Sequence, residues 1–331
     1  MMSNRGKIAL LISGGRIVTK NYEAPGEDEV PLSSEEIFSL LRDDRKENLY
    51  QTDWSRQPAG HYSLRMISDL IQLAGKQITD GAEGVVITCG SQGLEEIAYY
   101  ADLIWSFPQP LVFASSTQFH SFEAGANLLQ QAIQAASSKS CWGRRVLVLS
   151  DSTLLSASDV VEVSNYRRAG FETPNCGIIA EFSSGNLLFL CAKDRNRVLP
   201  INTQPARRVE IIYASLGGGE VLLSALQNKD ANGIDGLVLA AFGDGEVAPS
   251  WIPYIKKFLK QEIPIVLTSR CINGMVIPGS NFEGSAYRLI EMGVYNGGGL
   301  NPLQARIKMS LGLGASLKGE ELQDYILEDN R

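Results

Sequence analysis

The sequence predicts an α/β protein with a larger N-terminal doubly wound domain and a smaller C-terminal α/β domain. The first observation is the length of 331 residues, which is typical of two domains. The second is a regular alternation of apolar, strand-like runs with segments of helical period in both halves of the chain. The third is a polar, proline-containing stretch that interrupts this alternation. We therefore predict domains over residues 1–195 and 209–331, joined by a linker over residues 196–208.

The N-terminal domain is predicted to alternate between strands and helices as far as Asp151. Strands are expected over Lys7–Ser13, Val85–Cys89, Pro110–Ala114 and Arg145–Ser150. Helices are expected from Ser33, which forms a capping-box spacing with Glu36, to Leu41, and over Ser63–Ile78, Leu94–Trp105 and Phe122–Ala136. Short strand-like runs follow around Val160–Val163 and Asn186–Cys191. The polar segment Thr19–Pro31 is a candidate lid, because ligands of such folds bind at the carboxyl ends of the strands.

The C-terminal domain repeats the alternation on a smaller scale. Strands are expected over Val209–Ala214, Gly236–Ala241 and Ile263–Thr268. Helices are expected over Gly219–Leu226, Ser250–Leu259, Pro302–Leu311 and Glu320–Leu327.

Composition excludes several classes of protein. The net charge of −7 is spread without a basic block, so a nucleic-acid partner is not expected. The apolar run after Lys7 is too short for a secretory signal or a membrane span, which predicts a cytoplasmic protein without a membrane partner. The five cysteines are odd in number and widely spaced, and there are only two histidines. Disulfides, a metal site and a bound cofactor are therefore not expected.

Two strand-to-loop segments carry a resemblance to a known family. The run from Val85 to Tyr100 reads VVITCGSQGLEEIAYY, and the run from Ser13 to Val18 reads SGGRIV. They resemble the ITHG–TDTMEETAYF and TGGTIA segments of the bacterial-type L-asparaginases and glutaminases. The resemblance implies an asparaginase-like fold, with the two segments joined in one active site.

The resemblance extends over nearly the whole chain. Similar segments are GLVLAAFGDGEV from Gly236 to Val247, TSRC from Thr268 to Cys271 and GLNP from Gly299 to Pro302. Ser55 lies where the family has a serine that binds the α-carboxylate of the substrate. Glu246 lies in a loop that, in the family, reaches the site of a neighbouring subunit, and this implies a homodimer or homotetramer.

The sequence departs from the family at the residues of the chemistry. The acyl-accepting threonine, the aspartate and the lysine of the family correspond to Arg16, Gln92 and Glu162. The activating threonine is retained as a hydroxyl at Ser91. Charge balance is kept, because the family's aspartate and lysine sum to zero, as do Arg16 and Glu162. An unpaired charge in a partly buried pocket costs several kcal/mol, roughly, so the exchanges predict a rebuilt site in which Arg16 and Glu162 lie within salt-bridge distance.

Each site residue admits two interpretations. Arg16 binds an anionic group of a substrate, or it fills the space of the nucleophile as the counter-ion of Glu162. Glu162 is a general acid or base, or only that counter-ion. Cys89 is a possible nucleophile or a small buried apolar residue. Ser91 contacts a substrate or caps its loop, and Tyr22 corresponds loosely to a catalytic tyrosine of some family members.

Three functions remain open at this stage. The first is an enzyme that acts on an amide or on an Asn- or Asp-like group of a small molecule or peptide, with hydrolysis of free L-asparagine lost. Here Arg16, Ser91 and Glu162 are the catalytic set, with Ser55, Gln92, Tyr22 and Glu246 as substrate-binding residues. The second is a non-catalytic homologue that binds a small ligand or a protein partner. The third is an L-asparaginase in which Ser13 or Tyr22 supplies a substitute hydroxyl.

Overall fold

A computed structural model describes residues 7–20, 30–41, 46, 48–116, 122–167, 169–183, 185–191, 197–227 and 233–328. The chain divides into two compact units, Met1–Asn202 and Thr203–Arg331. The division falls inside the segment predicted as a linker. That segment is not a free tether, because the Leu199 N–H donates a hydrogen bond to the Leu103 carbonyl in the first unit, at 2.9 Å.

The first unit is built around a mixed sheet of eight strands. The strands of this unit are β1 (Ile8–Ser13), β2 (Thr19–Lys20), β3 (Val30–Pro31), β4 (Leu49–Asp53), β5 (Gly84–Cys89), β6 (Leu111–Ser115), β7 (Val146–Ser150), β8 (Thr153–Ser156), β9 (Val161–Glu162), β10 (Phe171–Glu172), β11 (Ile178–Ser183) and β12 (Asn186–Phe189). Its helices are α1 (Ser34–Ser39), α2 (Leu64–Thr79), α3 (Leu94–Ile104) and α4 (Phe122–Ser137). The predicted doubly wound domain is confirmed.

Strand order in the large sheet is β12-β11-β8-β7-β6-β5-β1-β4. The five strands from β4 to β7 run parallel, and β8, β11 and β12 extend the sheet by antiparallel pairing. The central parallel strands are buried on both faces and therefore read as continuous apolar runs, which made them predictable. The predicted strand at Arg145 begins one residue later, because Arg145 has a left-handed backbone with φ of 65°.

Helices begin where the capping residues indicate. The Ser33 side chain accepts from the Glu36 N–H while the Glu36 carboxylate accepts from the Ser33 N–H, so the predicted capping box is present. Helix α2 begins after Ser63, whose hydroxyl accepts from the Met66 N–H. Within the part of the chain that is described, no helix is long and apolar enough to cross a membrane.

The second unit has a parallel sheet of four strands in the order β13-β14-β15-β16. They are β13 (Val209–Tyr213), β14 (Gly236–Ala241), β15 (Ile265–Ser269) and β16 (Tyr295–Asn296). Its helices are α5 (Glu220–Leu226), α6 (Ile252–Lys260), α7 (Ala286–Glu291), α8 (Pro302–Gly314) and α9 (Gly319–Leu327). A smaller C-terminal α/β unit was predicted and is confirmed, with β16 and α7 as additions.

Candidate active site

The two resembling segments meet at the carboxyl ends of adjacent parallel strands. Ser13 at the end of β1 pairs in register with Cys89 at the end of β5. From β1 the sheet continues toward β4 on one side, and from β5 it continues toward β6 on the other. Strand order therefore reverses between β1 and β5, and such a reversal opens a crevice in which ligands of α/β proteins bind.

Close approach of the two segments depends on a glycine pair. Gly14 and Gly15 both have positive φ, of 76° and 94°. A Cβ atom at Gly15 would lie 2.4 Å from the carbonyl oxygen of Cys89, nearer than real Cβ atoms come. The backbone after β1 therefore passes directly against the end of β5, and only glycine allows this path.

Arg16 follows this turn in a short 3-10 helix, Arg16–Val18. Its neighbours Ile17 and Val18 are buried, and the Thr19 hydroxyl donates to the Gly15 carbonyl at 3.0 Å. These contacts anchor the backbone on both sides of Arg16, whose side chain is half-buried. The residue that follows the glycine turn is therefore an arginine, and not a residue with a hydroxyl.

The loop after β5 carries the residues that the sequence places opposite Arg16. Ser91 is buried, and its carbonyl accepts a hydrogen bond from the Leu94 N–H at the start of α3. Gln92 is exposed. Burial raises the pKa of the Cys89 thiol to about 12, so the thiol stays protonated at neutral pH. This favours the packing interpretation of Cys89 over the nucleophile.

Glu162 is carried by a small antiparallel ribbon outside the large sheet. It lies in β9 and pairs with the buried Phe171 of β10, which anchors the ribbon. The Glu162 backbone N–H donates a 2.9 Å hydrogen bond to Oε2 of Glu95, in the first turn of α3. This bond ties the ribbon to the helix that begins just after Ser91 and Gln92.

The Glu162 carboxyl is half-buried and its pKa is raised. Burial is the main cause, and the positive charge of Arg16 opposes it. The charge of Arg16 thus acts on Glu162, and their predicted salt-bridge distance stays a prediction. The Glu95 pKa is also raised, and burial is again the main cause. The hydrogen bond from the Glu162 N–H lowers this pKa, whereas the negative charges of Glu162 and Glu96 raise it further. Two carboxyls with raised pKa and one guanidinium therefore belong to one site.

A hydroxyl network supports the floor of the crevice. The Tyr62 hydroxyl accepts from Ser13 Oγ at 3.2 Å and reaches the carbonyl oxygens of Ser13 and Gln57 at 3.0 and 3.1 Å. The Ser55 side chain also hydrogen-bonds Tyr62, and burial raises the pKa of this tyrosine. The Tyr62 ring packs edge-on against Trp54, with ring centroids 5.2 Å apart.

Sequence reasoning missed Glu95 and Tyr62. Glu95 follows the SQGL turn and could be noticed only as one of two helix-starting glutamates. Tyr62 precedes the helix cap Ser63 without a motif of its own. Ser55 was predicted as a binding residue, and its N–H donates to the Ile12 carbonyl at 3.1 Å, which holds it at the end of β1.

Glu246 and Tyr22 lie outside the described part of the first unit. Glu246 lies in the second unit, in the turn after β14, where its N–H donates to the Phe242 carbonyl at 3.0 Å. Tyr22 lies outside the described residues, although β2 and β3 pair on either side of its segment. No group of three or more His, Cys, Asp and Glu side chains suited to a metal ion occurs among the described residues.

Comparison with known proteins gives matches over both units. The family model "Asparaginase, N-terminal" matches residues 7–194, and "Glutaminase/Asparaginase C-terminal domain" matches residues 208–326. An L-asparaginase from Bacillus licheniformis is 26% identical over 95% of this chain and 97% of its own length. A probable L-asparaginase from Deinococcus radiodurans is 28% identical over 96% of each chain.

Among solved structures, the crystal structure of a probable cytoplasmic L-asparaginase from Campylobacter jejuni is similar to this chain with a TM-score of 0.86. It shares 22% identity, and the match covers 98% of this chain and 99% of that chain. The predicted asparaginase-like fold is therefore confirmed.

Proposed function

Because the chain belongs to the asparaginase family over both of its units, we propose that it is a hydrolase of an Asn-like side-chain amide in a small molecule or peptide, with a rebuilt active site. The observation that carries the proposal is the half-buried Glu162 carboxyl. Its pKa is raised, and the charge of Arg16 acts on it. A general base works best when its pKa approaches the working pH, which burial of a glutamate achieves.

In the proposed reaction, water takes the place of the missing threonine hydroxyl. Glu162 accepts a proton from the water as its oxygen attacks the amide carbon, and Arg16 stabilises the negative charge that develops on the carbonyl oxygen. The carbon–nitrogen bond then breaks, and the proton passes from Glu162 to the departing nitrogen. The products are a carboxylic acid and ammonia, and Glu162 returns to its ionised state.

Substrate binding is assigned to residues that follow β4 and β5. Ser55 and Ser91 supply hydroxyls, while Gln92 supplies an exposed amide. We also propose that the protein is cytoplasmic and forms a homo-oligomer in which Glu246 and Tyr22 complete the site. Light scattering that shows only monomer at micromolar concentration would contradict the oligomer.

A second candidate is a non-catalytic binding protein. The effect of Arg16 on the Glu162 pKa favours it, because a carboxylate that serves only as a counter-ion is a poor base. A third candidate is ordinary L-asparaginase activity, which the names of the two curated relatives favour. This activity needs a substitute hydroxyl. The Ser13 hydroxyl is poorly suited to the role, because it is fully buried and donates a hydrogen bond to Tyr62.

The test is ammonia release from free L-asparagine, L-glutamine, their N-acyl derivatives and short asparagine peptides. We expect background release from free L-asparagine and turnover of a derivative that is lost in Glu162→Gln. The control is Glu172→Gln, which changes an exposed glutamate on the partner strand of the same ribbon. Turnover of free asparagine within about a hundredfold of ordinary asparaginases would establish the third candidate, with Ser13→Ala and Tyr22→Phe identifying the hydroxyl.

The binding candidate gives a different result in the same screen. A ligand at about a hundred times its Kd stabilises the folded protein by about 2.7 kcal/mol without ammonia release. Arg16→Thr is expected to restore no asparaginase activity, because position 162 still lacks the lysine and Glu162 loses the cation that acts on it.

A further inference from the structure

Glu95 and Glu162 are held together by a bond that fixes both groups. The acceptor is the Glu95 carboxylate and the donor is the Glu162 backbone N–H, at 2.9 Å. Glu95 is set by helix α3, which begins at Leu94 after a left-handed Gly93. Glu162 belongs to a strand of only two residues, so this bond to a rigid helix is a main constraint on where the strand lies.

From this arrangement we propose that Glu95 is a positioning residue for Glu162: its carboxyl accepts the Glu162 N–H and fixes the strand that carries Glu162. One oxygen of Glu95, Oε2, accepts the Glu162 N–H. The inference rests on the proposed hydrolase function, because it explains what holds Glu162 in place as a base.

Neighbouring charges act differently on the two carboxyls. Arg16 favours the ionised form of Glu162. The Glu162 N–H favours the ionised form of Glu95, and the charges of Glu162 and Glu96 disfavour it. Other elements that pack on α3 add little: β7 has no ionisable side chain, and Asp69 of α2 acts on Tyr100 toward the far end of the helix. The two carboxyls therefore titrate as a coupled pair.

Carboxyl titration by NMR tests this without a substrate. Protein labelled with carbon-13 at the glutamate carboxyl is titrated, and the two signals are assigned with Glu95→Gln and Glu162→Gln. We expect the Glu95 midpoint to fall in Glu162→Gln, because the negative charge of Glu162 raises the Glu95 pKa. We also expect the Glu162 midpoint to rise in Arg16→Gln. The control is Glu123→Gln, an exposed first-turn glutamate of helix α4, which should leave both midpoints unchanged.

Hydrogen exchange at the Glu162 amide tests the positioning. Glu95→Gln keeps an oxygen that accepts the Glu162 N–H, whereas Glu95→Ala removes the acceptor. The amide should therefore stay protected in the glutamine variant and exchange faster in the alanine variant. If the alanine variant does not fold, the titration of the glutamine variants still decides the matter.

Two results would overturn the inference. One is a Glu95 midpoint that does not move when Glu162 is neutralised, and the other is a Glu162 amide that exchanges no faster in Glu95→Ala than in Glu95→Gln. Neither depends on turnover. A protein with the coupled titration but no amide hydrolysis would refute the proposed function alone, and a protein with hydrolysis but uncoupled carboxyls would refute this inference alone.

Discussion

Ser13 and Tyr62 are joined by two hydrogen bonds, one from the Ser13 hydroxyl to Tyr62 Oη at 3.2 Å and one from that oxygen to the Ser13 carbonyl at 3.0 Å. The residues are 49 positions apart, so the contact closes the loop between β1 and α2. Because Tyr62 also reaches the Gln57 carbonyl, one phenol oxygen organises the strand end and the loop that carries Ser55.

Removal of that oxygen should loosen the floor of the crevice. We expect Tyr62→Phe to lower the free energy of unfolding by about 1–3 kcal/mol, because buried Ser13 groups lose their partner. Urea unfolding measures this. Tyr50→Phe is the matched control, since Tyr50 is half exposed and its contact with Lys7 uses the ring, and it should change stability by less than about 0.5 kcal/mol. Equal effects of the two variants would argue against the network.

The glycine turn after β1 should tolerate no side chain. We expect Gly15→Ala to be severely destabilising, because the new Cβ adds a collision with the Cys89 carbonyl to the cost of a positive φ. Gly81→Ala separates the two effects. Gly81 has φ of 104° with nothing within 4 Å of a Cβ, so it carries the backbone cost of roughly 1–3 kcal/mol alone. Denaturant midpoints that match for both variants would contradict the close approach of the two segments.

Cys89 should be inert to alkylation in the folded protein. With a pKa of about 12, roughly one Cys89 in ten thousand is a thiolate at about pH 8, and the side chain is buried. Iodoacetamide should modify the exposed Cys191 and Cys271, with Cys89 modified only after unfolding. Peptide mass spectrometry reads out each site. Modification of Cys89 at the rate of Cys271 would support the hypothesis that Cys89 is a nucleophile.

The raised pKa of Glu162 predicts a pH-dependent stability. The folded state holds the Glu162 proton more tightly than the unfolded chain, whose value is near 4.5. This stabilisation is complete below that pH and is lost as the pH rises through the folded pKa. Glu162→Gln removes the effect. The free energy of unfolding of the variant minus that of the wild type should therefore be larger at about pH 7.5 than at about pH 4. Urea unfolding at both values measures the change, and a constant offset between the proteins would contradict it.

The fold was predictable where local patterns and burial agree. Parallel strands such as β5 are apolar throughout, and helix α1 carries its capping box in the sequence, so both could be located within a residue or two. Strands β4 and β11 were missed because exposed and buried residues are mixed along them, so neither reads as a continuous apolar run.

The candidate site was only partly predictable. The resemblance predicted that Arg16, Ser91 and Glu162 lie in one site. The register of β1 with β5 agrees with this for Arg16 and Ser91, because the strands that precede them end side by side. Glu95 could not be found in this way, because its contact is a backbone N–H 67 residues away. Backbone donors carry no residue identity, so no sequence pattern records such a bond.

The short ribbon that carries Glu162 keeps the proposed chemistry apart from the packing of the large sheet. Its two residue pairs form a separate two-stranded sheet, and the eight-stranded sheet contains neither of the two strands. A substitution at position 162 therefore changes the charge offered to a ligand with little demand on the packing beneath. Position 162 is therefore suited to engineering that aims to change the reaction specificity while the fold is kept.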